Sequence, residues 1–551
     1  MKVFDTITKH YRVALFLIVF LAAFLRFYRL DSVPPSMYWD EVSQGYNSYS
    51  ILKTGRDEHA ELFPLARFAA FGDYKAPVYI YADVPFIAIL GKNTLAVRFP
   101  SALFGTLTVL AAFFLVLELF SSSKNKILPG LLAAFFLSIS PWHIQLSRAA
   151  YEANIATFFT VAGVFLFLRS IRTKSWMFVL SAVSFVLAFY AFNSHRVFIP
   201  LFVLFLFALF RKELWTMKKY VIVAGIISFI VFIPFLQYLK TPESKLRFNE
   251  VNIFSNADIV KQSNQWIAED SNSAAGKVLH NRRVLFGLLY AKHYFDFFDP
   301  KYLFFTGDGN PRFSLQDNGE LYLWELPLLL AGVYLLCRKR NREALLIFGW
   351  FLLAPVAAAT ARETPHALRS ETFIPTYEII MASGMVGILG GVRRFGGKVK
   401  YLAFVGFGII GIVSFYIFVH DYFVHYGVIY SYQWQYGYEQ AVQKVEKIKS
   451  GYDEVVFTTA YGRPYIYVLF YGNTAPNQYW KDSTVTRDVF GFYTVSKLGK
   501  YVFRDHMLDS SDKGKKVLYV GAPNEIPSNF KKIDEVKFLD GGGAFVIAQN
   551  T

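Results

Sequence analysis

The chain has a single cysteine, Cys337, in 551 residues, so an internal disulfide framework is excluded. Charged residues are also scarce, at 18% against a hydrophobic share of 54%, which is not the balance of a string of soluble domains. The sequence shows no internal repeat and no low-complexity tract. Its formal net charge of +16 could indicate nucleic-acid binding, but no basic soluble module accompanies it, so we expect no nucleic-acid partner.

Long apolar runs dominate what is present. The first, Val13 to Phe27, is flanked by Arg12 and Arg26 and is not followed by a small-residue cleavage site, so we interpret it as a retained membrane anchor. Ten further segments are candidate spans: 97–120, 127–140, 153–169, 175–192, 197–211, 218–237, 321–337, 342–360, 373–391 and 400–420. The sequence therefore predicts an α-helical polytopic protein of the cell membrane with about 11 transmembrane helices in contact with the lipid bilayer. The aromatic share of 19% fits lipid-facing helices and interfacial belts.

Basic residues indicate how these spans are oriented. They cluster before the first span and in alternate connectors, at 124–126, 169–174, 211–219, 338–342 and 393–400. The positive-inside rule places these connectors and the N-terminus in the cytoplasm. Residues 77–90 then cannot cross, because every later basic loop would move outside. We expect them to lie along the outer surface as an interfacial helix within one long external loop, 30–96.

The same topology predicts two domains. Residues 1–420 form the membrane domain, and 238–320 are its largest external loop, polar around Asn249–Gln265 and amphipathic around Val284–Phe298. Residues 421–551 are predicted to form a small extracytoplasmic α/β domain. Because the N-terminus is placed in the cytoplasm, an odd number of membrane crossings puts this domain outside. Its pattern favours a helix at Glu439–Lys449 and strands at the following positions: Glu454–Thr459, Lys516–Val520 and Ala544–Ala548.

The pair Asp40 and Glu41 lies just beyond the first span, on the predicted outer face. Pro34 and Pro35 block a helix before it, so we expect both carboxylates on a loop near the lipid headgroups. A carboxylate there can deprotonate an acceptor hydroxyl or hold a divalent cation such as Mg or Mn. The alternative is a pair of solvated loop acids.

Two other outer segments carry candidate residues. Lys75, after Tyr74 and before an interfacial helix, can neutralise a phosphodiester, although simple snorkelling is the alternative. In the loop 141–152, the i, i+4 spacing of Arg148 and Glu152 predicts one shared helical face on which they could pair. In the alternative arrangement the two side chains do not pair, and Glu152 points toward Asp40 while Arg148 points toward a phosphate. His143 in this loop is interpreted first as a residue at headgroup level.

Cations also occur on the predicted outer face, against the positive-inside tendency. They are Arg196 in the turn 193–196 and Arg362, His366 and Arg369 in the loop 361–372. Each calls for an anionic partner, which is either a substrate phosphate or a neighbouring Glu363 or Glu371. The segment Gly307–Arg312 is interpreted as a turn.

In combination these residues resemble the GT-C glycosyltransferases, in particular the branch of protein O-mannosyltransferases and lipid A aminoarabinose transferases. The resemblance rests on four elements: Trp39-Asp40-Glu41, Lys75-Ala76-Pro77, the segment 98–105 that opens a membrane helix, and Ser147-Arg148 with Glu152. The family more often has Lys-Pro-Pro at the second element and Asp at the fourth. The resemblance covers residues 10–240 well and residues 280–390 more loosely. The Trp-Trp-Asp signature of oligosaccharyltransferases is absent at 430–434, which argues against transfer of whole oligosaccharides to asparagine.

This resemblance implies that a monosaccharide moves, with inversion, from a polyprenyl-phosphate donor to an acceptor hydroxyl of a protein, lipid or envelope glycan. Asp40 would be the general base, and Glu41 and Glu152 would orient it; Asp40 and Glu152 would also be the ligands of any divalent cation. The residues implied on the substrate side are Lys75, Tyr74, Arg148, His143, Arg196, Arg362, His366 and Arg369.

Two other classes remain open from the residues. A transporter or flippase for lipid-linked sugars would place its ionisable residues within the spans, near the midplane, whereas here most lie in outer loops. A non-catalytic surface receptor built around 421–551 is the third possibility.

Overall fold

The computed structural model describes residues 8–241, 244, 252–392, 398–488 and 492–550. Part of the predicted polar stretch Asn249–Gln265, together with Arg393 and Arg394 of the predicted basic connector, therefore lies outside the described residues. Contacts divide the chain into two compact units. The first unit comprises Met1–Arg26, Phe104–Leu146 and Ala153–Phe418, and the second comprises Phe27–Leu103, Ser147–Glu152 and Val419–Thr551.

Helices dominate the chain up to residue 429, and each predicted span coincides with one of them. In chain order the α-helices are α1 Tyr11–Phe27, α2 Trp39–Thr54, α3 Pro77–Leu90, α4 Thr94–Leu119, α5 Ile127–Ile139, α6 Pro141–Leu146, α7 Glu152–Thr173, α8 Met177–Ala191, α9 His195–Leu209, α10 Arg211–Thr216, α11 Lys218–Tyr238, α12 Ala257–Glu269, α13 Ala274–Leu279, α14 Arg282–Asp296, α15 Leu326–Lys339, α16 Arg342–Ala358, α17 Thr376–Val392, α18 Lys398–His420 and α19 Tyr426–Ile429.

Among the described residues, four helices are long and apolar enough to cross a membrane. They are Thr94–Leu119, Glu152–Thr173, Lys218–Tyr238 and the continuous segment Val405–Ile429. Shorter apolar helices such as Ile127–Ile139 and Met177–Ala191 accompany them. The mostly helical architecture is thus confirmed, whereas the count of eleven crossings stays a prediction.

Glycines allow close helix packing inside the first unit. Helix α17 packs against α15 and α5. A methyl group on Gly384 of α17 would collide with the carbonyl oxygen of Leu328, and one on Gly332 of α15 would collide with that of Ile380. Small residues that let two backbones approach are typical of helix packing in lipid, where burial of apolar surface gives no driving force.

We expect the substitution Gly384→Ala to destabilise the protein by about 1–3 kcal/mol, since the added methyl group must push two backbones apart. Gly225→Ala, on helix α11, is the matched control. A Cβ atom added at Gly225 would have no neighbouring atom within 4 Å. There the change should be neutral or stabilising, by up to about 1 kcal/mol. Thermal unfolding in detergent measures both variants, and equal shifts would contradict the packing argument.

The second unit contains the first-loop segment 27–103 and the C-terminal residues from 419. Its first part carries α2, the antiparallel hairpin of β1 (Phe68–Ala70) and β2 (Asp73–Lys75), and α3, which packs on α2. Helix α3 coincides with residues 77–90, and the location of this helix in the membrane interface stays a prediction. Gly45 of α2 lies so close to Val97 and Phe470 that a side chain would not fit there.

The C-terminal part is an α/β domain, as predicted. Its helices are α20 Tyr438–Ile448, α21 Pro464–Tyr471 and α22 Pro476–Asp482, and its strands are β3 Glu454–Thr458, β4 Ser483–Arg487, β5 Tyr493–Leu498, β6 Tyr501–Arg504, β7 Val517–Gly521, β8 Lys531–Lys537 and β9 Gly543–Gln549. The sheet has the order β4-β5-β6-β3-β7-β9-β8. The central strand β3 runs parallel to β6 and β7 and is buried through Val455, Val456 and Phe457. Helices α21 and α22 pack against α2, so the predicted separate domain is part of the unit that holds Asp40.

Candidate active site

Asp40 and Glu41 lie in the first turn of helix α2 and not on a loop, which corrects the sequence interpretation. The two prolines keep the preceding segment non-helical, and the helix begins directly after Tyr38. The Glu41 Oε2 atom accepts a hydrogen bond from the Tyr38 backbone N–H at 3.1 Å, in the manner of a capping box. Acidic side chains in a first helical turn are favoured by the free N–H groups and the helix dipole there.

Glu41 forms a buried ion pair with Arg98. The Arg98 Nε and Nη2 atoms donate to the two Glu41 oxygens at 2.9 and 3.0 Å, and the side chains are 0% and 2% exposed. Arg98 also donates to the backbone carbonyls of the segment before α2, and Glu41 accepts the Ala150 N–H at 2.9 Å. Glu41 is therefore fully engaged in holding three segments together.

Asp40 points away from this pair and contacts Lys75. The Lys75 Nζ atom lies 2.5 Å from the Asp40 Oδ1 atom, with the lysine side chain 4% exposed and the aspartate 39% exposed. The β1–β2 hairpin places Lys75 at the end of β2. Because the ammonium is buried against a carboxylate, the snorkelling interpretation of Lys75 is wrong. Tyr74 is also buried and has the Arg67 guanidinium over its ring at 5.4 Å.

Arg148 and Glu152 do not share a helical face, because Arg148 lies in a turn and Glu152 begins α7. The Arg148 Nη2 atom donates to the carbonyls of Tyr28 and Val33 at 2.7 and 2.8 Å. Its guanidinium also lies 4.8 Å from the centre of the Phe423 ring. Arg148 thus ties the segment between α1 and α2 to the start of the C-terminal part. Glu152 is half-buried.

The C-terminal part contributes residues that the sequence analysis did not assign. The Gln435 Oε1 atom accepts hydrogen bonds from the Trp39 N–H at 3.1 Å and from the Tyr467 hydroxyl at 2.6 Å. The Arg98 guanidinium lies 5.7 Å from the centre of the Trp434 ring. The aromatic run 430–438 is the feature of the sequence that could have pointed to this part of the site. Its partners Trp39 and Arg98 are more than 300 positions earlier in the chain, so the run does not indicate them. These contacts fix the N-terminus of the helix that carries Asp40.

His143 belongs to the first unit and is fully buried in the protein, and its position at the level of the lipid headgroups stays a prediction. Its Nδ1 atom lies 2.6 Å from the Arg26 Nη2 atom. Burial and this guanidinium hold the pKa of His143 well below its usual value. A neutral imidazole at this position can accept the hydrogen bond from Arg26.

The other outer cations also belong to the first unit. His366 is buried, and its Nδ1 atom lies 3.4 Å from the Asp308 Oδ2 atom, which also accepts the Ala367 N–H at 2.7 Å. Burial raises the pKa of Asp308 to about 6, and burial together with Arg369 lowers the pKa of His366. The segment Gly307–Arg312 therefore packs on the loop 361–372.

Arg196 and Arg362 contact groups other than the acids considered from the sequence. The Arg196 guanidinium lies over the Phe235 ring at 5.1 Å, and the Arg362 Nε atom donates to the Asn252 carbonyl at 3.4 Å. The predicted binding of a donor phosphate by Arg196, Arg362, His366 and Arg369 stays a prediction.

A divalent cation on Asp40 would bind a carboxylate that is already paired with the Lys75 ammonium through its Oδ1 atom, so the donor set around Asp40 fits a metal poorly. Within the described ranges, the group of three potential metal ligands is His420, Asp421 and His425, whose ligand atoms lie within 4.8 Å of one another. The predicted cation at Asp40 and Glu152 stays a prediction.

Comparison with solved structures finds chains with a similar fold. The chain is similar to the archaeal oligosaccharyltransferase AglB from Archaeoglobus fulgidus, in complex with an inhibitory peptide and a dolichol-phosphate, with 14% identity and a TM-score of 0.52. The match covers 84% of this chain and 64% of AglB, so the chain spans somewhat less than two thirds of that protein. It is also similar to ArnT from Cupriavidus metallidurans. The apo form is 13% identical and the form bound to undecaprenyl phosphate 11%, each with a TM-score of 0.51 and 97% coverage of both chains.

A family comparison agrees with the fold. Residues 16–252 match the model of the dolichyl-phosphate-mannose-protein mannosyltransferases. No curated protein matches the chain in a sequence comparison. The resemblance to the GT-C glycosyltransferases that the sequence indicates is thus confirmed by a family model over its N-terminal part and by the fold over nearly its whole length.

Proposed function

We propose that this chain is a membrane glycosyltransferase that moves a monosaccharide from a polyprenyl-phosphate donor to an acceptor hydroxyl. The observation that carries the proposal is the contact of Asp40 with Lys75, which pairs a half-exposed carboxylate with a buried ammonium at the start of a rigidly held helix. The similarity to lipid-phosphate-dependent GT-C enzymes supports lipid-linked sugar transfer and a multi-pass location in the membrane. The charge pattern of the loops supports an outer-face site.

In the proposed mechanism, Asp40 accepts the proton of the acceptor hydroxyl as that oxygen attacks the anomeric carbon, with inversion. Lys75 binds the donor phosphate and stabilises the negative charge that develops on the departing polyprenyl phosphate. The donor phosphate competes with Asp40 for the Lys75 ammonium, so donor binding weakens the Asp40–Lys75 pair and leaves Asp40 available as a base. Glu41, Arg98 and Gln435 hold the helix that carries Asp40.

The transporter alternative is not favoured, because the relatives identified by the family model and the fold are transferases. The discriminating experiment reconstitutes the purified chain in vesicles with polyprenyl-phosphate monosaccharides labelled in the sugar. A glycosyltransferase releases polyprenyl phosphate and moves the label to an acceptor in an envelope extract. Movement of the intact lipid across the bilayer without cleavage would instead establish a flippase.

The variant Lys75→Met is expected to lower kcat/KM for the donor by about 10²-fold or more, since the phosphate loses its charge partner in a site shielded from water. Lys75→Arg should retain part of the activity, because the charge is kept but its geometry is changed. Lys53→Met is the matched control, since Lys53 is an exposed lysine on helix α2. Equal kinetics of Lys75→Met and Lys53→Met would remove Lys75 from the mechanism.

A further inference from the structure

A second acidic pair, Asp57 and Glu58, lies in the connection between α2 and β1, and both residues are fully buried. The backbone of Glu58 is held on both sides. Its N–H donates to the Asn47 Oδ1 atom at 3.0 Å, and its carbonyl accepts the Trp480 Nε1–H at 3.0 Å. Asn47 belongs to α2, the helix that begins with Trp39 and Asp40. The position of Glu58 is therefore fixed relative to the proposed base.

The Glu58 carboxyl group is held less firmly than its backbone. Among the residues that the structure describes, it interacts with the side chains of Asn47 and Tyr465, but neither of its oxygens forms a well-aligned hydrogen bond, and the same is true of the buried hydroxyls of Tyr465 and Tyr479. The nearest ring nitrogen, His59 Nε2, lies 3.7 Å from the Glu58 Oε1 atom, beyond hydrogen-bond distance. Such groups are costly to bury unpaired, so a cluster of them calls for a functional explanation.

The charge state of this cluster suits a neutral polar ligand. Burial, followed by the charge of Asp57, raises the pKa of Glu58 to about 8, so that near neutral pH the carboxyl is largely protonated and can both donate and accept. The two tyrosine hydroxyls have the same dual capacity. A divalent cation would need charged ligands and a phosphate would need cations, and neither requirement is met by these three side chains.

Lys75 connects this cluster with the proposed reaction centre. Its ammonium contacts Asp40 and also acts electrostatically on Glu58, whose pKa it lowers in part. The sugar of the donor is bonded directly to the phosphate that Lys75 is proposed to bind. The ring hydroxyls are therefore the part of the donor that lies next to Lys75 on the side away from the lipid chain.

We propose that Glu58, together with Tyr465 and Tyr479, forms the subsite that binds the hydroxyl groups of the donor monosaccharide. The inference rests on the proposed function and deepens it by assigning the residues that recognise the sugar. Because Glu58 is fully covered, with His59 stacked on Tyr493 at 3.7 Å, entry of the sugar requires these side chains to move apart.

The test compares two ligands on the full-length chain: undecaprenyl phosphate alone, and undecaprenyl phosphate carrying mannose, glucose or another monosaccharide from a panel. In the wild type, the preferred sugar-bearing lipid should bind more tightly than the bare lipid. The substitution Glu58→Leu should weaken binding of that donor by about 10-fold or more, since a site that pairs with hydroxyls loses its partner. Binding of undecaprenyl phosphate alone should stay within 2- to 3-fold of wild type, which is roughly the scatter of such measurements.

Two further variants separate recognition from folding. Glu58→Gln keeps a donor and an acceptor and should retain most of the donor affinity at neutral pH. Glu61→Leu, in the same connection, removes an exposed carboxylate that pairs with Arg67 and should bind both lipids like the wild type. Glu58→Leu should unfold at a temperature close to that of the wild type, because the buried carboxyl that it removes forms no well-aligned hydrogen bond.

An unchanged donor affinity in Glu58→Leu would overturn the subsite, as would an equal loss for the bare and the sugar-bearing lipid. A raised KM for the acceptor with unchanged donor binding would assign the cluster to the acceptor and also overturn it. Failure of the proposed function would be distinguishable from failure of the subsite, because the wild type itself would then transfer none of the sugars in the panel.

Discussion

Asp40→Asn is expected to reduce sugar transfer by about 10²- to 10⁴-fold, because an amide cannot take the proton of the acceptor hydroxyl. The fold should tolerate the change, since Asp40 is 39% exposed and its ion pair with Lys75 can be replaced by a hydrogen bond to the amide oxygen. The effect should fall on kcat, and the affinity for the polyprenyl-phosphate donor should be equal or higher, because the Lys75 ammonium no longer leaves a carboxylate in order to bind the phosphate. Turnover of a sugar-labelled donor and the temperature of unfolding in detergent measure the two consequences.

Asp31→Asn is the control for this variant. Asp31 is an exposed carboxylate in the same predicted external loop, but it lies before the two prolines and outside helix α2. Its substitution should leave both turnover and unfolding unchanged. Turnover near the wild-type level in Asp40→Asn would end the proposal that this carboxylate is the general base, whatever the result for Lys75.

The helices of the membrane part are readily predicted from the sequence, because an apolar run long enough to span lipid has few other stable structures. All eleven predicted spans coincide with helices, although their ends differ by a few residues. The C-terminal α/β domain is equally visible, since alternating strands of Val, Phe and Tyr between Gly and Asp turns contrast with the preceding apolar runs. Local composition is sufficient for both predictions.

The partners of the site residues could not be predicted in the same way. Asp40 and Lys75 are 35 positions apart and were expected on one surface, yet their direct contact depends on the β1–β2 hairpin. The partner of Glu41, Arg98, opens a membrane helix, and the sequence alone does not indicate which acid it pairs with. Gln435 is 396 positions from Trp39. Such pairs result from chain topology, on which hydrophobic periodicity carries no information.

Arg148 and Glu152 illustrate a different failure. Their i, i+4 spacing predicts a shared face only if a helix runs through both residues, and spacing alone does not establish that helix. The chain turns at 147–150 instead, and the Arg148 guanidinium is used to satisfy the carbonyl groups of the segment before α2. Non-helical backbone near a membrane surface leaves carbonyl groups without partners, and an arginine with five donors is well suited to bind several of them.

Arg98→Met is expected to lower the free energy of unfolding by about 3–5 kcal/mol, since it leaves the buried Glu41 carboxylate without a counter-charge. It also removes the donor for the carbonyls of Leu30, Pro34 and Ser36. The helix that carries Asp40 would lose its anchor, so transfer should fall even at temperatures where the variant is folded. Thermal unfolding and turnover, measured on the same detergent preparation, follow the two effects.

The pair of Arg169 with Glu118 provides the control. Its nitrogen and oxygen atoms are 2.9 Å apart, as in the Arg98–Glu41 pair, but Arg169 is 39% exposed, and Glu118 keeps a second counter-charge in Arg172, whose Nη2 atom lies 2.8 Å from the same oxygen. Arg169→Met should therefore cost at most about 1 kcal/mol. The double variant Glu41→Gln with Arg98→Met should recover part of the stability lost in Arg98→Met, because it no longer buries an uncompensated charge. A double variant no more stable than Arg98→Met would mean that the carbonyl contacts of Arg98, and not its charge pair with Glu41, hold the start of helix α2.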